Sequence, residues 1–385
     1  MLALLASSTL SAGDWPVWRG SNADGISPEK GWKISGINKK LWEINVGKGY
    51  ASVSVVGGKA YTMGNLKGED HVFCLDVESG KVLWDYKYAS KPGNFPGPRA
   101  TPVVDGGDVF VFNEHGFVRC LDAGTGKEKW VADVASMGPK NITWKFSGSP
   151  LVVGNLVVLN AGRKGVALDR KTGKKIWASS GQGGYATPVL LKDGKSLAIF
   201  SKDTLEIVDI KTGRGVASAK WKTKYDVNAA DPVASPLGVF VTSGYGKSGA
   251  LFALKGGSLK KMWENKNVKS QFTTPVLFKG FLYGADGQTG KKDAALVCLD
   301  LKTGAEKWRE PSVGYGSLII SDGKIIHLSD RGVLTICEAT PNGFKKLASA
   351  RVLKGAGKCW TVPTLSGKLL FCRGANGKLV CLDLR

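Results

Sequence analysis

The sequence predicts an all-β chain: a single eight-bladed β-propeller of four-stranded antiparallel blades, the last blade closed by an N-terminal strand. Three observations lead there. One phrase recurs, as CLDVESGKVLW (Cys74 to Trp84), CLDAGTGKEKW (Cys120 to Trp130), ALDRKTGKKIW (Ala167 to Trp177), IVDIKTGRGVA (Ile207 to Ala217) and CLDLKTGAEKW (Cys298 to Trp308). Taking Asp76, Asp122, Asp169, Asp209, Leu254, Asp300, Glu338 and Asp383 as equivalent points gives spacings of 46, 47, 40, 45, 46, 38 and 45 residues, a period that marks a repeat architecture. Finally, 52 glycines and 15 prolines in 385 residues interrupt the chain too often for a helical domain.

Each repeat carries the same elements. A small-hydroxyl-proline phrase (ATPVV from Ala100, GSPLV from Gly148, ATPVL from Ala186, ASPLG from Ala234, TTPVL from Thr273) leads into a Gly-rich turn and alternating apolar runs such as DVFVFNE, which read as strands. Three strands precede the T-G-K turn and one follows it, making a propeller blade. The glycine of that turn supplies positive φ and the Asp before it accepts from turn amides. Trp84, Trp130, Trp177, Trp263 and Trp308 are large enough to fill the gaps between blades, so Asp76, Asp122, Asp169, Asp300 and these indoles are assigned to structure. The last repeat stops where its fourth strand should begin, and Lys40 to Val46 supplies an orphan strand at the other end. Pairing the two closes the ring over residues 40–385 and hides its edges.

Ahead of that strand, residues 1–13 (MLALLASSTLSAG) show the apolar run and small residues of a signal-peptide remnant, and 14–39 form an N-terminal extension. An exported chain, periplasmic or extracellular, is therefore expected, with no transmembrane segment because no apolar run reaches ~20 residues. No Cys precedes Cys74, so the sequence offers no acceptor for a lipid anchor. Five of the seven cysteines, Cys74, Cys120, Cys298, Cys337 and Cys381, hold one register of the repeat and read as packing residues; Cys359 and Cys372 lie off it, on the two arms of one hairpin, where a bridge is left open. Neither C-x-x-C nor C-x-x-C-H occurs, and with three histidines the chain has little for zinc or triad chemistry. The G-x-G-x-x-G at Gly244 to Gly249 leads into a strand and is read as a turn.

The phrase A-x-D-x-x-T-G-K-x-x-W, clearest in ALDRKTGKKIW, resembles the repeat of the pyrroloquinoline-quinone-like (PQQ-like) propeller family over residues 40–385. That family includes quinoprotein alcohol dehydrogenases and the propeller lipoprotein of the outer-membrane protein assembly complex (BamB-like), and Asp14 to Ser27 (DWPVWRGSNADGIS) is similar to the start of its exported members. The resemblance implies two functions. A quinoprotein dehydrogenase would need PQQ stacked on aromatics over a Ca²⁺ held by oxygen ligands, drawn here from Asp226, Asn228, Asp231, Asp286 and Glu114, and the adjacent Cys pair often seen in such enzymes is missing. A non-catalytic scaffold would bind an envelope protein or peptide, and this is the reading preferred: no cofactor, no metal and no catalytic residue are expected, and the ring is expected to be monomeric.

Lys and Arg outnumber Asp and Glu by 54 to 32, a net charge of +22, but many lysines recur in turns (Lys81, Lys127, Lys174, Lys302) and no nucleic-acid motif is present. An anionic glycan remains a third ligand class. Function is expected on the face opposite the monotonous T-G-K turns, where loops vary. There, residues preceding the inner strands (Tyr50, Arg99, Phe146, Tyr185, Asp231, Phe272, Tyr315, Trp360) should ring the channel mouth with Trp144, and the turns between second and third strands add His115, Arg163, Asp286, Arg331 and Arg373. Such a set can bind a ligand or simply fill the channel.

Overall fold

A computed structural model describes residues 13–90 and 94–385; the expected signal-peptide remnant lies almost wholly outside the described residues. Eight antiparallel sheets follow one another along the chain. Blade 1 comprises Ser54–Val56, Lys59–Leu66, Glu69–Asp76 and Val82–Ala89, and blades 2–7 span 103–133, 151–178, 189–220, 233–265, 276–310 and 316–351. Blade 8 takes Thr364–Ser366, Leu369–Arg373 and Lys378–Asp383 from the C-terminus and its outer strand, Lys40–Asn45, from the N-terminal side. The closing strand runs antiparallel to its partner, with Glu43 opposite Val380 and Asn45 opposite Lys378.

The core is a set of layers between neighbouring blades. Tyr61, Cys74, Val109 and Leu121 join blades 1 and 2, Val158, Ala167, Ile199 and Val208 join blades 3 and 4, and the same arrangement repeats around the ring. The repeated tryptophans tie these layers together. Each donates its indole N–H to a carbonyl of the next blade: Trp42 to Val77, Trp84 to Ala123, Trp130 to Arg170, Trp177 to Ile210, Trp263 to Leu301 and Trp308 to Thr340, at 2.8–3.1 Å. The next blade's turn glycine lies flat on the ring, so that a Cβ on Gly173 would come within 2.5 Å of Trp130 and one on Gly213 within 2.6 Å of Trp177. Glycine is required there twice over, for positive φ (68° at both) and for contact. Blade 4 has Ala217 at the tryptophan position, and the facing Gly256 and Gly257 of blade 5 meet nothing within 4 Å. The Asp that opens each turn is held below the ordinary carboxylate range by hydroxyl and amide donors, Ser79 for Asp76, Thr125 for Asp122 and Thr172 for Asp169.

The hydroxyl-proline phrase links neighbouring blades. Each hydroxyl accepts from a backbone amide of the preceding blade: Ser52 N–H to Thr101, Thr101 N–H to Ser149, Ser149 N–H to Thr187 and Asp231 N–H to Thr274. In blade 5 the register differs from the sequence expectation. Ser235 ends the inner strand and Pro236 opens the turn after it, and Asp231-Pro232 takes the place of Ser/Thr-Pro, its Oδ1 accepting from Thr187 N–H at 2.6 Å.

The N-terminal extension occupies the centre of the ring. Trp15 pairs with Val55 of blade 1, Pro16 O accepts from Val104 of blade 2, Trp18 Nε1 donates to Asp231 before blade 5, and Arg19 donates to Pro275 O before blade 6. The segment then returns, Ile26–Ser27 lying parallel to Ile320 and Ser321 of blade 7 and Glu29 accepting from Lys368 N–H of blade 8. Trp15, Trp32 and Arg19 are buried. The channel is thus filled by residues 14–29, and the aromatics of the mouth lie above this plug.

Candidate functional site: an aromatic cavity at the channel mouth

The inner strands all begin on the face opposite the T-G-K turns, and the loops feeding them converge on one cavity of ≈ 250 Å³. Seven of the residues singled out in the sequence line it: Tyr50, Arg99, Trp144, Tyr185, Asp231, Phe272 and Trp360. Trp360 is the hub, stacked on Tyr50 (centroids 5.1 Å apart, planes at 26°) and packed against Phe272 (4.9 Å) and Phe95 (5.8 Å). Phe95 meets Trp144 edge-on at 5.7 Å, and Lys358 Nζ sits 4.6 Å from the Trp360 ring and 4.4 Å from Phe95, a cation–π arrangement. On the far wall, Tyr185 Oη accepts from the Trp144 amide and Gln271 donates to Tyr245 Oη.

Trp18 of the plug makes the floor. Its N–H meets Asp231 Oδ2 at 2.7 Å, so the aspartate that replaces a hydroxyl in blade 5 is also the fastening point of the plug. Burial holds the Asp231 carboxyl above its ordinary range and the Arg19 guanidinium below its own, although each favours the other's charged form. Burial likewise raises Tyr50 and Tyr185, so both phenols stay neutral donors or acceptors.

The other seven candidates lie elsewhere. Phe146 packs on Phe112 in the layer between blades 2 and 3, and Tyr315 is buried with its hydroxyl accepting from the Phe272 amide at 2.9 Å. Arg373 is fully buried and donates to Ala51 O, Gly47 O and Thr62 Oγ1, and burial lowers it to about 9; its work is to hold carbonyls between blades 8 and 1. Asp286 is enclosed by Lys269 and Arg309, Arg163 pairs with Glu206, His115 lies against Glu114, and Arg331 faces a separate cleft. Sequence reasoning missed Trp18 and Phe95. The dense aromatic content of DWPVWRG was a signal for the first; nothing in KPGNFPGPR marked the second.

A family profile described as Outer membrane protein assembly factor BamB matches residues 33–180 and, overlapping, 68–310. The chain belongs to this family. A BamB of Moranella endobia (strain PCIT) is 24% identical over 284 residues, 68% of this chain and 70% of that one. Among solved structures, BamB from Moraxella catarrhalis superposes with TM-score 0.68 at 17% identity, covering 89% of this chain and 99% of its own. Quinohemoprotein alcohol dehydrogenase from Comamonas testosteroni superposes with TM-score 0.73 at 13% identity, covering 97% and 80%. At these identities the two structures speak to the shared eight-bladed fold.

The BamB-family chain does not present the ligand set a PQQ–Ca²⁺ centre requires. Glu114 is taken by Arg99 (2.5 Å) and Lys145 (2.8 Å), Asp286 by Lys269 and Arg309, Asp226 by Lys202, and Asp231 by Trp18 and the Thr187 amide. Asn228 donates its side-chain amide to carbonyls of Ser201, Lys202 and Trp221, and its Oδ1 accepts from the Ser243 hydroxyl at 2.8 Å. These oxygens are dispersed over separate partners, and no group of three or more His, Cys, Asp or Glu able to hold a metal occurs among the described residues. All seven cysteines are free and buried, Cys359 and Cys372 included. Burial pushes the Cys74 thiol up to about 11 and that of Cys359 to about 12, which leaves them unreactive. No helix among the described residues is long and apolar enough to cross a membrane.

Proposed function

We propose that this chain is a non-catalytic binding propeller of the cell envelope that receives a protein segment at the channel mouth, seating an aromatic or large apolar side chain between Trp360, Phe272, Tyr185 and Trp144. The observation that carries this reading is the blind aromatic cavity itself. A pocket of ≈ 250 Å³ closed below by Trp18 suits one or two side chains and lacks the aligned acid, base or oxyanion donors that turnover needs. Rigid aromatic walls lose little entropy on binding and are the common anchors of protein recognition. Membership in the BamB family supports a partner engaged in outer-membrane protein assembly, and with it an exported location; an anionic glycan is the weaker reading because the mouth itself is predominantly aromatic.

The test is site-specific photocrosslinking in cells. Trp144→p-benzoyl-Phe places the probe on the exposed rim, and Val131→p-benzoyl-Phe places it on an outer strand. A discrete envelope-protein adduct from position 144, lost on Tyr185→Ala, supports the reading. Equal labelling from both positions sinks it. Dialysis against PQQ with Ca²⁺ is expected to leave no retained quinone, and stoichiometric retention with dye reduction would make the chain a dehydrogenase instead.

A further inference from the structure

Beside the aromatic cavity lies a surface that the mouth does not explain. Two adjoining clefts, of ≈ 330 and ≈ 510 Å³, run along blades 6 to 8 and share Gly290, Asp330, Arg331 and Arg351. Six cationic side chains line them: Lys291, Lys292, Arg331, Lys346, Arg351 and Lys358. None of the six makes an ion pair among the described residues, whereas Lys145, Arg163, Lys269 and Arg309 elsewhere in the ring do. The one acidic residue lining either cleft, Asp330, is already engaged by the Thr289 hydroxyl (2.7 Å) and the Gly290 amide (2.8 Å). Surplus positive charge is therefore concentrated here, in contrast to the lysines of the T-G-K turns, which the repeat distributes around the opposite face.

This groove is continuous with the mouth. Trp360, the hub of the aromatic cavity, donates its indole N–H to Thr289 Oγ1 at 3.0 Å, and Thr289 lines the larger cleft. Lys358 belongs to both, lining that cleft while its ammonium lies over the Trp360 and Phe95 rings.

We propose that the partner is an acidic–aromatic polypeptide segment: an aromatic side chain enters the mouth while carboxylates a few residues away lie along the groove of blades 6 to 8. This rests on the mouth reading above and specifies its partner. Charge complementarity argues for it, since unpaired cations around a concave surface favour an anionic guest and reject a basic one. The arrangement of an apolar pocket with a charged flank also divides the work: the pocket supplies affinity, and the flank sets direction and encounter rate.

The experiment is isothermal titration of the purified chain with three acetylated, amidated peptides: GWGDEDEG, its neutral counterpart GWGNQNQG, and GAGDEDEG without the aromatic. The acidic aromatic peptide is expected to bind about tenfold more tightly than the neutral one at low salt, the yield of three exposed ion pairs, and to lose that advantage as ionic strength rises. Arg331→Gln, Arg351→Gln and Lys358→Gln together should bring the two aromatic peptides to equal affinity. Lys171→Gln, Lys211→Gln and Lys302→Gln, which remove the same charge from exposed turns on the other face, should preserve the difference. Thermal melts of both triple variants establish that they fold. Equal affinity of the two aromatic peptides for the wild-type chain, or equal loss in both triple variants, overturns the acidic partner and leaves the mouth reading standing. Failure of both aromatic peptides to bind, or binding of GAGDEDEG as tight as that of GWGDEDEG, removes the mouth reading and this proposal together.

Discussion

His327 is a measurable acid-labile point in the ring. It sits on the second strand of blade 7, is completely buried, and neither ring nitrogen has a hydrogen-bond partner. Burial alone pushes it from 6.5 down to about 4. The sign follows directly. Above the unfolded value both states are neutral and the contribution to stability is fully present; between 6.5 and about 4 the unfolded chain takes up a proton that the folded chain refuses, so stability falls as pH falls. With 1.36 kcal/mol per pKa unit, the loss reaches about 3 kcal/mol near pH 4. Other groups titrate nearby. Asp24, Glu29 and Asp231 are raised by burial and oppose the trend, and the turn aspartates Asp76, Asp122 and Asp169 are lowered and act only as pH falls through the carboxylate range. Comparing the wild type with His327→Leu cancels all of these. Urea unfolding followed by tryptophan fluorescence from about pH 7 to about pH 4 should show the wild type losing about 3 kcal/mol relative to the variant as pH falls. Curves that stay parallel would mean that the histidine is hydrated or paired and would refute the argument.

Trp177→Ala removes a buried indole, its hydrogen bond to Ile210 O and the platform for Gly213, and should cost about 3–5 kcal/mol in chemical denaturation; the exposed neighbour Ile176→Ala should stay within about 0.5 kcal/mol. Excising residues 14–39 while keeping Lys40–Asn45 exposes the sites of Trp15 and Trp32, a loss of up to about 10 kcal/mol from area alone; an unchanged melting temperature would show that the plug is dispensable. Arg99→Ala leaves buried Glu114 with Lys145 as its remaining basic partner at hydrogen-bond distance and should destabilise by about 1–3 kcal/mol. Differential scanning calorimetry reads this, and a neutral result would mean that the Glu114 site admits water.

By itself the sequence determined the repeating parts. The D-x-x-T-G-K-x-x-W phrase is local: an Asp caps its own turn, a glycine turns it, and a tryptophan eight residues beyond the Asp reaches the next blade. Because that pattern recurs at a fixed interval, blade number, strand order and closure through Lys40–Asn45 were legible without any long-range knowledge. The aromatic character of the mouth was legible too, since the position before each inner strand could be counted. Which of those side chains face the cavity was decided only in three dimensions. Tyr315 and Phe146 occupy the same sequence position as Tyr185 and Trp360, yet Tyr315 is buried under the Phe272 amide and Phe146 on Phe112, while Tyr185 and Trp360 line the cavity. The plug is the sharpest case. Residues 14–29 contain neither repeat nor regular period, and their placement depends on contacts with blades 1, 2, 5, 6, 7 and 8 that lie up to 339 residues away. Asp231 shows why such contacts escape a linear reading: the residue breaks the Ser/Thr-Pro rule of its own repeat, and the reason, the indole N–H of Trp18, lies 213 positions earlier.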